Sequence, residues 1–452
     1  MRSCRNCGVS TAGAKAVPAI TAPSAGDPEA YAGWKRNLAF VWIGVFVGLM
    51  GASFVFPFMP FYIQELGITD KSQVAYYTGI TASAAGLSLT LTAPFWGSLA
   101  DRFGRKPMFV RALVGAGLIV GFMGIAQAVW QLVLLRFLMG AFAGTMGAAA
   151  ALVASSTPRE KTGQALGLLQ TAAFSASMLG PFMGGVVASS LGIRNSFFFC
   201  AALYLVAAGL AYAFVREGKG SAEALSGKRR PAPSGGLITN LKKVASDRQV
   251  LVMLGLLFCL NLSNTFVRPV QPISIDGFAE HLADGDRVHL HLLFITASMK
   301  EELATGVLFG VIGGTSTIAA LCLSPLGHRI GYRNAVTGAA LMAGLLYLPL
   351  AFIGSYSTFL LSFAAVGLFQ GAMVPGTNAL LAANAPEGKH GSVFGLAASM
   401  QSMALLIGPL AGGFVSGTLG NHAVYLNIGL ILVGASLAAR LFIKEPDVLR
   451  RR

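Results

Sequence analysis

Twelve apolar runs, each long enough to cross a lipid bilayer, constrain this chain more than any other feature. They cover roughly 38–62, 74–98, 107–128, 130–154, 163–189, 195–215, 249–274, 303–326, 334–354, 357–383, 391–417 and 422–443. About 20 residues rising 1.5 Å each span a hydrocarbon layer about 30 Å thick. An open strand edge has no hydrogen-bond partner in lipid, so all twelve are expected to be helices. Composition agrees: 11% of the residues are charged and 54% hydrophobic, whereas a soluble domain carries about 25% charged residues.

The formal net charge is +15, which in a soluble chain would suggest nucleic acid as a partner. Its placement points to topology instead. With the N-terminus in the cytoplasm, loops on that side carry Lys35, Arg36, Arg102, Arg105, Lys106, Arg159, Lys161, Lys228, Arg229, Arg230, Lys242, Lys243, Arg329, Arg333 and Lys389. The other side holds only Lys71, Arg194, Arg287 and Lys300. The positive-inside rule and an even span count then put both termini in the cytoplasm, with the lipid bilayer as the partner of the basic excess.

An internal repeat divides the chain. Gly180-Pro181-Phe182-Met183-Gly184-Gly185 recurs as Gly408-Pro409-Leu410-Ala411-Gly412-Gly413. The preceding loops align at the same offset, with Pro158, Lys161 and Gly163 against Pro386, Lys389 and Gly391. The expected organisation is a disordered cytoplasmic tail over 1–33, a six-helix half over 34–215, a cytoplasmic linker over 216–248, a second six-helix half over 249–445 and a basic tail over 446–452. Parallel six-span halves of this kind can rock about a site near the bilayer midplane.

Several function classes find no support. There is no G-x-x-x-x-G-K-[ST], H-E-x-x-H or G-x-S-x-G pattern, so neither ATP hydrolysis nor another enzymatic activity is expected. Cys4 and Cys7 form a CxxC without a second pair, and the polar stretch Asp276–Glu302, with His281, Asp284, Asp286, His289 and His291, completes no zinc spacing. No metal or cofactor is expected, and that stretch reads as a solvated external loop.

Between the second and third runs stands Gly97-Ser98-Leu99-Ala100-Asp101-Arg102-Phe103-Gly104-Arg105-Lys106. Four ionisable groups around a glycine turn suit a short cytoplasmic hairpin. The block resembles the signature loop of the major facilitator superfamily, which implies an all-α polytopic fold of twelve transmembrane helices in two six-helix halves. The resemblance also implies that Gly97, Asp101, Arg102, Gly104, Arg105 and Lys106 latch one half against the other. Gly327-His328-Arg329-Ile330-Gly331-Tyr332-Arg333 is a degraded second copy, with His328 in the place of Asp101.

Two further motifs resemble the drug:proton antiporter branch. Gly180, Pro181, Gly184 and Gly185 match its fifth-span motif, where proline bends a helix and glycine admits a close neighbour. Small-residue helix packing is the competing explanation. Arg136 lies in Leu132-x-x-x-Arg136-x-x-x-Gly140-x-x-x-Gly144, which resembles the fourth-span motif whose arginine takes part in proton transfer, although Met139 stands where glutamine is common. An arginine inside a span faces protein or water. No acidic residue lies at a span centre; the nearest are Glu65, at the outer end of the first span, and Asp276, just beyond the seventh, and Glu65 is the candidate proton carrier, with Arg136 setting the charge balance.

Asn261, Asn264, Arg268 and Gln271 recur at i, i+3, i+7 and i+10 in the seventh span, as one helical face lining a substrate pathway. Arg268 suits an anion or headgroup. Gln170, Gln370 and Asn378 are further pathway candidates, and Phe54, Phe58 and Phe61 a candidate apolar wall. Trp34-Lys35-Arg36-Asn37-Leu38, Phe56-Pro57-Phe58-x-Pro60-x-Tyr62 and Pro94-Phe95-Trp96-Gly97 resemble the MdtG-like multidrug efflux group of bacterial inner membranes. That resemblance implies a monomer exporting small apolar or amphipathic compounds in exchange for protons. A metabolite, sugar or lysolipid carrier of the same fold, or a non-transporting membrane sensor, are the alternatives.

Overall fold

A computed structural model describes residues 33–216, 248–280, 287–292, 295–322, 330–384 and 390–443. The expected tails, most of the linker, Cys4, Cys7, His281, Asp284, Asp286 and His328 lie outside the described residues, as do the side chains of Asp101 and Arg102 and the surroundings of Gly97. The first half contains α1 (Trp34–Phe54), α2 (Met59–Glu65), α3 (Lys71–Phe103), α4 (Arg105–Met123), α5 (Val129–Phe142), α6 (Thr145–Ser156), α7 (Thr162–Leu191) and α8 (Ile193–Phe214). The second contains α9 (Arg248–Val267), α10 (Gln271–Asp276), α11 (Glu301–Cys322), α12 (Tyr332–Leu350), α13 (Tyr356–Asn384), α14 (His390–Leu419) and α15 (Asn421–Phe442).

Among the described residues, ten stretches are long and apolar enough to cross a membrane. The helices α3 and α12 complete the twelve spans; the first is long but rich in Ser, Thr and Gly, and packs along α14. Exposed Leu91, Trp130, Tyr212, Leu430 and Leu441 give the bundle an apolar outer surface, as a helical bundle solvated by lipid requires.

Each half has its own buried core. One runs from Leu38 to Val215 and includes Phe54, Phe58, Tyr62, Phe197 and Tyr204, joined by Ile273 from across the interface. The other runs from Val250 to Ile443 around Tyr347, Phe359, Phe363 and Tyr425. The halves meet instead through backbone-close seams of small residues. A Cβ on Gly79 would lie 2.4 Å from the Pro409 carbonyl oxygen, and one on Gly413 would lie 2.5 Å from that of Ala75. Likewise Gly185 abuts Glu302 and Gly306, and Gly313 abuts Met178. Such seams let helices approach without interlocking large side chains.

Three spans are broken rather than continuous. The first turns at Phe56–Phe58, a short 3₁₀ segment carrying Pro57, before α2. The fourth breaks at Ala143 and Gly144, whose φ of 117° is in the left-handed region that glycine tolerates. The seventh ends at Val267, turns through Arg268–Val270 and resumes as α10. Conversely, α7 and α14 run on past Pro181 and Pro409.

Two sequence expectations need correcting. The charged block is not a ten-residue loop: Gly97 to Phe103 continue α3, and the chain reverses at Gly104 alone (φ 94°) before α4 begins at Arg105. The stretch after the seventh span is not an unstructured loop. It forms a three-stranded antiparallel sheet of β1 (Ala279–Glu280), β2 (Arg287–Leu292) and β3 (Ile295–Lys300), leading directly into α11. Buried Val288 and Leu290 alternate with Arg287, His289 and His291 along β2, the period-2 pattern of a half-covered strand. The sheet marks one end of the bundle, and the Gly104 turn marks the other.

Candidate functional site

A small cavity lies between the halves where the broken first and seventh spans face each other. Its walls are Phe56 and Met59 from the first span, Thr78, Thr81 and Ala82 from α3, Arg136 from α5, Thr265, Arg268 and Pro269 from the seventh span, and Leu405 and Pro409 from α14. Its volume is about 20 Å³, on the scale of one water molecule. Two lining residues are cations and none is an acid.

The two breaks are copies of each other. Ser53, Phe54, Pro57 and Pro60 stand at one constant offset from Thr265, Phe266, Pro269 and Pro272. The Ser53 hydroxyl donates to the Ala176 carbonyl at 3.3 Å, and the Thr265 hydroxyl to the Ala404 carbonyl at 2.7 Å. At this offset Phe56 corresponds to Arg268. The repeat therefore brings a phenyl ring and a guanidinium from equivalent positions to one place, with the Arg268 Cζ 5.2 Å from the ring centroid.

Arg136 joins the same ring at 5.4 Å. It is 3% exposed, and its Nε and Nη2 have no hydrogen-bond partner. Its only hydrogen-bond contact among the described residues is a weak one from Nη1 to the Met139 Sδ at 3.9 Å. The helix is held in place by Gly140, where a Cβ would sit 2.1 Å from the Ala85 carbonyl oxygen. In the second half Gly367 makes the equivalent contact with Ile312 and Thr315, which aligns Phe363 with Arg136. Phe363 is an ordinary core residue there, edge-on to Tyr347 and Phe359. The fold therefore builds this position without a cation.

The structure separates the other sequence candidates. Of the seventh-span stripe only Arg268 lines the cavity; it lies in the turn after Val267, where the helix ends. The Asn261 amide donates back to the Leu257 carbonyl, and Asn264 and Gln271 do not line the cavity. Gln370 is buried in the second half, donating to the Tyr347 hydroxyl at 3.0 Å. Gln170 is exposed on α7, and Asn378 is half-buried in α13; neither lines the cavity. Phe54 and Phe58 belong to the first core, and Phe56 takes the lining role expected of them.

Glu65 does not meet Arg136. It is exposed at the sheet end, where its electrostatic neighbours are Arg194 and, across the interface, Glu302. The halves are tied at this end by an ion pair between Lys71 and Asp276 at 2.7 Å and by a Lys300 ammonium donating to the Ser189 carbonyl at 3.1 Å. Toward the Gly104 turn, Gly163, Gly167 and Gly395 have no described atom within 4 Å of a Cβ position. Gly180 and Gly184 pack on Met50, Ser53 and Phe54 of the first span while Gly185 packs on α11. The repeated block thus serves helix packing within and between the halves. His289 meets Glu280 at 3.3 Å, and no group of three metal-binding side chains occurs among the described residues.

Sequence reading passed over Phe56 and Arg111. Phe56 was legible as the counterpart of Arg268 between the aligned prolines. Arg111 lies in α4 with its Cζ 3.4 Å from the Trp96 ring centroid and 5.7 Å from that of Phe142. The signal was a second arginine inside a span. Arg105 donates to the Ala151 carbonyl at 2.7 Å, tying the turn to α6 within its own half.

Comparison with known proteins agrees with this architecture. The Major Facilitator Superfamily model matches residues 41–280 and 288–452. The multidrug resistance protein MdtG of Enterobacter lignolyticus is 33% identical over 401 residues, covering 88% of this chain and 90% of its own. MdtG of Escherichia coli is 31% identical over 403 residues, covering 89% and 93%. Among solved structures, the nucleoside transporter NupG superposes with a TM-score of 0.70 at 13% identity, covering 90% of this chain and 100% of its own. A bacterial homolog of the lysosomal transporter Spinster gives 0.69 at 12%, covering 90% and 97%. The chain is a multi-pass membrane transporter, not an enzyme, and it belongs to the major facilitator superfamily, within the MdtG-like group.

Proposed function

We propose that this protein exports small amphipathic compounds across a bacterial inner membrane by alternating access, in exchange for protons. The observation that carries the reading is the cavity walled by both halves at their equivalent span breaks, with Arg136 and Arg268 facing one ring. A ligand there touches both moving bodies at once, as a rocking carrier requires. At about 20 Å³ the cavity is far too small for a drug-sized molecule, for which pockets of roughly 300–1,000 Å³ are usual. Loading therefore requires the halves to separate.

The orientation we propose has both termini and the Gly104 turn in the cytoplasm and the sheet outside. The state described is then closed outside by the glycine seams and the Lys71–Asp276 pair. Gly97, Asp101, Arg102, Gly104, Arg105 and Lys106 would latch the opposite, outward-open state, in a monomer built from halves 34–215 and 249–445. Protons would be carried by Glu65 at the sheet end, acting through the outer closure and not through contact with Arg136.

The test is transport by the purified full-length chain in proteoliposomes, with a compound panel and with or without an imposed pH gradient. Gradient-driven accumulation of part of the panel is expected, abolished in Arg136→Ala. Movement of the panel unaffected by the gradient would remove proton exchange, and no movement at all would remove export.

A further inference from the structure

We infer that the cavity lined by Arg136 and Arg268 is a binding site for a single anionic oxyacid group, such as the carboxylate head of an amphipathic compound. The anion site follows from the side chains alone; that its ligand is cargo rests on the transport reading above.

The argument starts from charge. A guanidinium remains protonated in proteins, so a buried arginine cannot escape desolvation by losing its charge. Removing such an ion from water costs several kcal/mol unless it is paired and its donors are satisfied. Here Arg136 is 3% exposed with Nε and Nη2 unpartnered, and no acidic residue lines the cavity. The Phe56 ring compensates only in part: a cation over a phenyl face contributes about 0.5–2 kcal/mol. A second guanidinium at 5.2 Å from that ring adds repulsion. Two cations beside one apolar ring, lining one cavity without an acid, lack one negative charge.

The donors fit an oxyacid. Arginine forks match carboxylate and phosphate oxygens in pairs. Thr78 and Thr81 line the same cavity, but their hydroxyls donate back to the Val74 and Tyr77 carbonyls, so the guanidiniums are left as the charge-matched donors. Met59, Ala82, Leu405 and Phe56 surround the head position with apolar surface for an attached hydrocarbon body. The architecture does not demand these cations, since Phe363 occupies the position equivalent to Arg136 and Phe56 the one equivalent to Arg268. With one arginine from each half, a bound anion bridges the halves.

The experiment uses the full-length chain in phosphatidylcholine nanodiscs and three probes of one shape: naphthalene-2-carboxylate, naphthalene-2-carboxamide and 2-naphthylmethylammonium, each followed by isothermal titration. The carboxylate is expected to bind at least about tenfold more tightly than the amide, and the ammonium more weakly still. Arg268→Gln should weaken carboxylate binding by about tenfold or more, with partial recovery in Arg268→Lys. Arg136→Gln should do the same, with its melting curve separating loss of folding from loss of binding. No carboxylate binding at about 10 mM, equal binding of amide or ammonium, or unchanged binding in Arg268→Gln would overturn the site. Competition by phosphatidylglycerol in a second nanodisc would overturn the assignment to cargo and give the site to a lipid headgroup. Counterflow of the same probes in proteoliposomes separates the two readings: binding without movement defeats transport and leaves the site. Movement of the ammonium with exclusion of the carboxylate defeats the site and leaves transport.

Discussion

At the residue scale, arginines inside the membrane find different solutions. Arg111 sits 3.4 Å over the Trp96 ring centroid with Phe142 at 5.7 Å, so two rings offset part of its burial although its Nε and Nη1 have no hydrogen-bond partner among the described residues. Replacing Arg111 with Met should cost about 1–2 kcal/mol at most and shift the emission of Trp96. An identical spectral change in a Trp96→Phe background would show that the contact is not responsible. Arg136 has a single aromatic ring over its guanidinium among the described residues, Phe56, and that ring is shared with Arg268. Phe56→Leu should therefore lower the melting temperature and weaken ligand binding together, since one ring serves both cations. Loss of neither would mean the two guanidiniums are held by something other than the ring.

At the element scale, the Gly-Pro-x-x-Gly-Gly block explains how each half closes on itself and on its partner. A Cβ at Gly184 would fall 2.0 Å from the Phe54 carbonyl oxygen, and one at Gly412 would fall 1.9 Å from that of Phe266. Both obstacles are backbone, so neither can swing aside. Gly184→Ala and Gly412→Ala should each destabilise by about 1–3 kcal/mol, the range of overpacking and its backbone shifts. Gly395→Ala meets open space in a helix and should be neutral or stabilising by up to about 1 kcal/mol. Thermal unfolding of the three variants checks the contrast; equal effects would refute the packing account. The block's recurrence in both halves was legible from its spacing. That it forms a seam was not, because the partners of Gly185 and Gly413 are distant in sequence.

At the scale of the whole molecule, two cores joined by thin seams make a body that can separate along one plane. The Lys71–Asp276 pair sits at the edge of that plane, with the lysine side chain 64% exposed and the aspartate 10% exposed. An ion pair so open to water contributes about 1 kcal/mol or less, enough to shift a balanced equilibrium several-fold. Lys71→Ala should widen the distance between spin labels placed at Thr69 and Thr418, and the swap Lys71→Asp with Asp276→Lys should restore it. A swap that leaves the distance wide would show that the pair does not set the closure. Glu65→Gln should reduce transport driven by a pH gradient while leaving counterflow without a gradient unchanged; the reverse pattern would remove Glu65 from coupling.

The chain alone determined its solvent, its spans and its duplication. Lipid offers the backbone no hydrogen bonds, so helix-length apolar runs and the charge of their loops carry the topology locally. The alternation in Arg287–Leu292 was equally local, but it is short beside the helical signal and was read as loop. What tertiary structure alone decided is which polar groups meet. The rotation of each span, and the breaks at Phe56–Phe58 and Arg268–Val270, depend on neighbours more than a hundred residues away. Those breaks took Arg268 off the helix that keeps Asn261 and Asn264. They aimed it at Phe56, with Arg136 beside the same ring, because helix ends and their packing are set by contacts across the bundle and not by periodicity along one segment.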